Sequence, residues 1–149
     1  MQKIIKKFVL TLIYSLFLFT TVPAIADQGK VLTTSSGIKY FTGGIGEEEA
    51  TAMRRMAKDF SLNLVFSEGG GGKITGVNAV IYNTQGEVVF RIKNANPMLY
   101  VNLPSGKYRV LANYGGEKQG YIFEVNATTN KKLILNWESN SNEEDYSKE

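Results

Sequence analysis

Histidine and cysteine are both absent from the 149-residue sequence, which narrows the chemistry that the chain could perform. A hydrolase needs a nucleophile with a base that activates it, so serine–lysine pairs or paired carboxylates are what remains. The serines lie mostly in flexible stretches, and most carboxylates fall on one helical segment or near the C-terminus. The same absence removes the commonest ligands of zinc and copper. We therefore expect a non-enzyme without a metal or cofactor.

Three consecutive glutamates, Glu47, Glu48 and Glu49, follow a glycine-rich turn at residues 43–46. A helix N-terminus attracts anions, but three carboxylates oppose a phosphate there, and the turn lacks the Lys and Ser or Thr of a phosphate loop. Successive helical residues point about 100° apart, so the three carboxylates cannot converge on one calcium ion. A structural turn and helix cap is the favoured interpretation.

Aromatic side chains are the remaining candidates for a ligand-binding surface. Tyr100, Tyr114, Tyr121 and Trp137 fall in or beside the predicted strands. Because successive strand residues face opposite sides of a sheet, some of these rings must face outward unless a second layer covers them. Exposed rings often bind sugars and peptides, although partly buried sheet aromatics are the commoner case.

Residues 1–26 have the layout of a cleavable signal peptide. Three lysines precede an apolar stretch, which ends at Pro23 and is followed by small residues up to Ala26. The apolar stretch falls short of the ~20 residues that a membrane-spanning helix needs. We expect cleavage near Ala26 and a periplasmic or secreted protein with no stable membrane insertion, an uncleaved anchor being the alternative.

The signal peptide accounts for the whole net charge of +3, because without its three lysines 14 basic residues balance 14 acidic ones. This balance gives no support to nucleic-acid binding, which normally shows clustered Lys and Arg on the mature domain. An exported chain without cysteine also has no disulfide bonds. The fold must therefore be stabilised by an apolar core.

The apolar pattern divides the rest of the chain into four segments. Residues 27–46 are rich in Gly, Ser and Thr and predict a flexible lead-in that could include a short strand. Residues 47–61 have apolar positions at helical spacing, with acids first and bases later, and predict one amphipathic helix. Residues 62–137 alternate, with turn signals between the runs, and predict a seven-stranded antiparallel β-sandwich, give or take one strand. Residues 138–149 predict an acidic disordered tail.

The stretch at residues 102–114 resembles the carboxypeptidase regulatory-like, or transthyretin-like, β-sandwich family. Members of that family pair an earlier hairpin, here residues 77–90, with a later motif of four residues. In this sequence the four are Leu103, Pro104, Gly106 and Tyr108. The resemblance covers about residues 74–137. It implies a fold and an accessory or binding role, and it brings no catalytic residue.

Tyr108 has a structural role on physical grounds as well. A tyrosine just past a Pro and Gly corner, at the start of a strand, can turn its hydroxyl back onto the corner backbone while its ring is buried. We therefore predict that Tyr108 belongs to the core.

The function predicted from the sequence is that of an exported, non-catalytic binding or accessory module of a bacterial envelope, which engages a protein or a glycan. One alternative is a structural or assembly subunit that pairs through an exposed strand edge. Another is a carboxylate-dependent hydrolase, which would require two acidic side chains converging in a cleft.

Overall fold

A computed structural model describes residues 30–139, and within them the protein is mainly β-structure with one short α-helix. The predicted signal peptide and residues 140–149 of the predicted tail lie outside this range. The strands form two sheets, one of six strands and one of four.

The six-stranded sheet is assembled from both ends of the described chain. Its strands are β1 (Leu32–Thr33), β2 (Lys39–Gly43), β3 (Leu62–Glu68), β4 (Gly72–Lys73), β7 (Met98–Val101) and β10 (Lys131–Trp137). The order across the sheet is β1-β2-β7-β3-β10, with the short β4 paired to β3. The segment predicted to be a flexible lead-in with a short strand therefore contributes two strands, and the sheet begins upstream of the predicted limit at residue 62.

The four-stranded sheet is antiparallel throughout. Its strands are β5 (Val77–Tyr82), β6 (Val88–Ala95), β8 (Gly106–Tyr114) and β9 (Glu117–Val125), in the order β6-β5-β8-β9. The hairpin predicted around residues 83–86 joins β5 to β6. Turn residues at both hairpin tips, between β5 and β6 and between β8 and β9, explain why sequential strands pair here.

One hydrophobic core lies between the two sheets and takes side chains from both. Alternate residues of each strand point into it, as the period-two pattern predicted. The six-stranded sheet contributes Leu62, Leu64, Phe66, Leu99, Val101, Leu135 and Trp137, and the four-stranded sheet contributes Val77, Ala79, Ile81, Phe90, Val110, Ala112, Phe123 and Val125. Full burial of each large aliphatic or aromatic side chain stabilises the fold by about 1.5–3 kcal/mol.

The direction of β10 differs from the prediction of an antiparallel fold. β10 runs parallel to β3, from the pair Lys131 and Leu62 to the pair Trp137 and Glu68. The preceding strand, β9, belongs to the other sheet, so the chain crosses between sheets before it enters β10. Apolar alternation specifies which face of a strand is buried but carries no information on its direction, so the sequence pattern could not reveal this pairing.

Helix α1 (Glu47–Met56) covers the outer face of the six-stranded sheet and continues as a 3₁₀ turn at Ala57–Asp59. The helix predicted over residues 47–61 is therefore shorter and changes type after Met56. Ala50 and Met53 form a second hydrophobic cluster with Phe41, Phe60, Met98 and Tyr100. None of the helices within residues 30–139 is long and apolar enough to cross a membrane.

The start of α1 combines a turn with an acidic first helical turn. Gly46 is the N-cap residue in an extended conformation, and the Glu49 carboxylate accepts a hydrogen bond of 3.1 Å from the Ile45 backbone N–H. Gly43 lies directly beneath the Glu49 carboxylate, so a side chain at position 43 would collide with it. Hydrogen bonds from Arg54 and Lys73 lower the pKa of the Glu47 carboxyl. Glu49 thus caps the turn, and Glu47 forms ion pairs with Arg54 and Lys73.

The corner before β8 has the arrangement that the sequence predicted for Tyr108. The Tyr108 hydroxyl donates a hydrogen bond of 2.7 Å to the Pro104 carbonyl, and its ring stacks on Phe123 with centroids 5.8 Å apart. Leu103 is buried beside it. The Ser61 hydroxyl accepts a 2.7 Å bond from the Leu103 N–H, which ties the corner to the start of β3. The prediction that Tyr108 is a core residue is confirmed.

Candidate functional site on the four-stranded sheet

The four aromatic residues proposed as a ligand surface do not share an exposed face. Tyr100 lies beneath α1, and Trp137 lies between the sheets, each only 2% exposed. Tyr114 is partly buried, and its ring packs edge-on against Trp137 at 5.8 Å. Tyr121 alone of the four is exposed. α1 covers Tyr100 and the four-stranded sheet covers Trp137, so these two residues belong to the core.

A different surface, the outer face of the four-stranded sheet, has the character of a binding site. Asn78, Val80 and Tyr82 of β5 point away from the core because their neighbours Val77, Ala79 and Ile81 point into it. The same alternation places Lys107, Arg109 and Leu111 of β8 on this side, together with Ile122 of β9. We call this surface the open face.

The part of the open face beside the β5–β6 turn combines apolar side chains with a cation. In the strand register Arg109 lies between Tyr82 on β5 and Ile122 on β9. The Arg109 guanidinium sits over the Tyr82 ring, 5.0 Å from its centroid, which is cation–π geometry. Ile122 is 81% exposed. Tyr82, Lys107, Arg109 and Ile122 line a cleft of about 300 Å³.

The hairpin turn between β5 and β6 forms one wall of this cleft. The Asn83 side-chain carbonyl accepts hydrogen bonds from the backbone N–H groups of Gln85 and Glu87, at 3.0 and 2.9 Å. The Gly86 N–H donates to the Asn83 carbonyl, and Gly86 has φ +79°. That left-handed conformation favours glycine. The turn is therefore held by its own hydrogen bonds, which gives the cleft a defined rim.

The cations of the open face are not neutralised within the described part of the chain. The salt bridges found among residues 30–139 join Arg54 and Lys73 to Glu47, on and beside α1. Lys107 is opposite Glu124 in the register, but the two form no salt bridge. The guanidinium of Arg109 consequently keeps its hydrogen-bond donors for another acceptor.

The outer face of the other sheet provides a contrast. There α1 and the 3₁₀ turn cover β2 and β7, and the Asn63 and Asn130 side chains each donate a 3.1 Å hydrogen bond to the Ala57 carbonyl. Ile134 of β10 is an isolated exposed residue on that side, at 58% exposure. Single exposed apolar residues of this kind are normal on protein surfaces.

Two other clefts have a weaker basis for function. One lies beside Trp137 and is bordered by Glu68, Glu117 and Glu138, but within the described chain no three acidic side chains are close enough together to hold a metal ion. The other lies among loops that include Asn126, whose side-chain oxygen accepts bonds from Thr128 and Thr129. Those polar groups are occupied within their own loop.

The residues that line the cleft of the open face were missed by sequence reasoning, although one signal was present. Tyr121, Ile122 and Phe123 are three consecutive apolar residues in a strand. Alternation buries Phe123, so Ile122 must point to the opposite face. The contact of Arg109 with Tyr82 joins two residues that are 27 positions apart in the chain, and no pattern in the sequence indicates it.

Comparison with known proteins gives little further guidance. No family model matches the chain, and no curated protein matches it. Among solved structures, part of the chain is similar to the Bacillus anthracis TIE protein, with a TM-score of 0.42 and 21% identity. The similarity covers 52% of this chain and 16% of that protein. A likeness at this level carries no argument about function.

Proposed function

We propose that the chain is an exported, non-catalytic binding module of a bacterial envelope and that it engages a protein through the open face. The observation that carries this proposal is the unequal covering of the two sheets. α1 covers the outer face of one sheet, whereas no described residue covers the apolar side chains and the cations on the other.

The residue types on the open face are those of protein interfaces. Arginine and tyrosine are enriched among the residues that dominate binding energy, and Arg109 and Tyr82 line the cleft of this surface. Leaving Ile122 in water forgoes the stabilisation of about 1.5–3 kcal/mol that its burial would give. A partner that covers Ile122 would gain part of that free energy.

A protein partner fits this surface better than a glycan. Sugar rings stack on flat, exposed aromatic faces, and two of the four candidate rings, Tyr100 and Trp137, are buried. One face of the Tyr82 ring is occupied by Arg109. The most exposed apolar side chain of the open face is the branched aliphatic Ile122, which contacts apolar side chains well and offers sugars little.

Fold type and compartment complete the proposal. The two sheets around one core, with the corner from Leu103 to Tyr108, support a sandwich of transthyretin-like type, a fold that the family resemblance associates with accessory and binding roles. The layout of residues 1–26 supports export. The absence of histidine and cysteine from the sequence supports a non-catalytic role.

Site-specific photo-crosslinking in the native host tests the binding face. A photoreactive phenylalanine analogue replaces Ile122 in one strain and Ile134 in another, so that matched exposed isoleucines report on opposite sides of the molecule. We expect one discrete protein adduct from position 122 and none from position 134. No adduct from position 122, or the same adducts from both positions, would overturn the proposal.

Assembly through a strand edge is a second candidate, favoured by one observation. β9 pairs with β8 over nine residues without a register shift, and among residues 30–139 it has no sheet partner on its other side. A regular edge of this length can add a strand from another copy. By contrast, β6 has register shifts near both ends of its pairing, which hinder such addition. Analytical ultracentrifugation over a hundredfold concentration range would detect the oligomers that this candidate requires.

A further inference from the structure

We propose that the partner segment bound by the open face is an acidic stretch of polypeptide, with one apolar side chain lying against Ile122 and Tyr82 and carboxylates paired with Arg109 and Lys107. This inference rests on the proposed function, because it specifies the chemistry of the partner at the same face.

The charge of the open face is the first argument. Five basic side chains lie at the outward-facing positions of its strands, against one acidic side chain, Glu124; the other exposed acid of these strands, Glu117, falls on the opposite side by alternation. The five are Arg91, Lys93, Lys107, Arg109 and Lys118. None of them forms a salt bridge with another described residue. A surface of one sign attracts a partner of the opposite sign and speeds its association.

The position of Arg109 is the second argument. The contact with the Tyr82 ring holds the guanidinium beside the cleft. The planar group can then pair with a carboxylate through two parallel hydrogen bonds, at a smaller entropic cost than a freely rotating side chain. Lys107 is two residues away on the same strand and the same side, so it can meet a second carboxylate.

The cleft between these groups is the third argument. Its volume of about 300 Å³ is at the lower end of the range for ligand pockets and is enough for one apolar side chain. Tyr82 and Ile122 form its apolar walls, and Arg109 and Lys107 border it. An aliphatic residue flanked by acids therefore matches both the walls and the rim.

An anionic membrane or an anionic polysaccharide shares the negative charge but matches the rest less well. Glu124 lies on the same face, opposite Lys107, and would be repelled by a uniformly negative surface. The apolar residues between the cations, Val80, Leu111 and Ile122, offer no hydrogen bonds to sugar hydroxyls. A polypeptide can vary its side chains residue by residue, so it can avoid Glu124 and still fill the cleft.

Peptide titration tests the inference. The protein is the full chain, expressed in a bacterial host and used in the form that the host produces. The probe is a synthetic peptide with one leucine flanked by two glutamates on each side, and the reference peptide has serine in place of the leucine. Backbone NMR shifts locate the site. We expect shifts at Ile122 and Tyr82, binding at least fivefold weaker for the serine peptide, and further weakening with added salt because the pairing is electrostatic.

Variants distinguish the proposed contacts from general attraction. Arg109→Glu and Ile122→Ser should each weaken peptide binding about tenfold. The matched changes on the opposite face, Lys132→Glu and Ile134→Ser, should leave binding within twofold. Equal losses from both pairs, or no measurable binding at millimolar peptide, would overturn the inference.

The remaining outcomes separate this inference from the proposed function. If the photo-crosslink from position 122 persists while neither peptide binds, the face binds a protein but its partner is not acidic. If vesicles rich in anionic lipid, or a sulfated polysaccharide, bind more tightly than the leucine peptide, the partner is a membrane or a polysaccharide and the inference is overturned. If the peptide binds only after residues 140–149 are deleted, those acidic residues of the same chain occupy the open face. That result would overturn the proposal of a separate partner.

Discussion

The hydroxyl of Tyr108 donates a hydrogen bond of 2.7 Å to the Pro104 carbonyl, four residues earlier in the chain. The bond closes the corner that leads into β8, the strand that carries Lys107 and Arg109. The corner therefore links the core of the protein to the cleft of the open face.

Replacing Tyr108 with phenylalanine tests the value of this bond. Tyr108→Phe retains the ring in the core but leaves the Pro104 carbonyl without its partner, so we expect the free energy of unfolding to fall by about 1 kcal/mol. Urea denaturation measures the change. Tyr121→Phe is the control, because Tyr121 is exposed and its hydroxyl bond to Gln119 is long, at 3.4 Å. An equal loss in both variants would contradict a special role for the corner.

Tyr100 should make the protein sensitive to alkali. Burial raises the pKa of the Tyr100 hydroxyl above its ordinary value of 10.0, and nearby Arg54 opposes this effect. Because folding favours the neutral phenol, its contribution to stability is complete below the ordinary pKa and is lost as pH rises through the folded-state pKa.

Alkaline denaturation followed by circular dichroism measures this dependence. Tyr100→Phe should unfold at higher pH than the unaltered protein, and some sensitivity should remain because burial also raises the pKa of Tyr108. Tyr121→Phe should behave as the unaltered protein does. A Tyr100→Phe variant that is no more resistant to alkali would show that this phenol does not control alkaline unfolding.

Met53 should contribute more to stability than its neighbour Met56. Met53 is fully buried between α1 and the six-stranded sheet, whereas Met56 is partly exposed. Met53→Ala removes core contacts and leaves a cavity, with an expected cost of about 2–5 kcal/mol, and Met56→Ala should cost clearly less. Thermal unfolding of the two variants side by side is the measurement. Equal costs would mean that α1 is not firmly packed on the sheet.

Gly86 should resist substitution because of its backbone conformation. Its φ of +79° is left-handed, so Gly86→Ala should cost about 1 kcal/mol or more. Gly70→Ala is a matched control, since Gly70 has ordinary φ and open space around its Cα. Unfolding in urea would reveal the difference, and a neutral Gly86→Ala would indicate that the turn can rearrange.

Sequence patterns predicted the strands well because burial and alternation are local properties. The segments around Leu64, Ile81, Val110 and Phe123 all form strands with those side chains in the core. The corner at Tyr108 was also predictable, since a proline, a glycine and a tyrosine at fixed spacing allow few backbone arrangements.

The arrangement of layers was less accessible to sequence reasoning. Tyr100 is buried because α1 crosses its face of the sheet, and the sequence pattern does not indicate which sheet the helix covers. Arg109 and Tyr82 meet through strand pairing across a sheet, which local patterns do not encode. The sequence therefore indicated four aromatic residues that share no exposed face, and it gave little indication that Ile122 is exposed.

The parallel pairing of β10 with β3 has a consequence for the order of folding. Partners such as Ser67 and Asn136 are 69 residues apart in the chain, so this contact closes a very long loop. Until β10 pairs with it, β3 has an unpaired edge, and Phe66 lacks its contact with the Trp137 ring. Contacts this distant in sequence are typical of slow folding. The six-stranded sheet therefore cannot be completed before Lys131–Trp137 is available, and in the incomplete state the unpaired edge of β3 is a place where aggregation can begin.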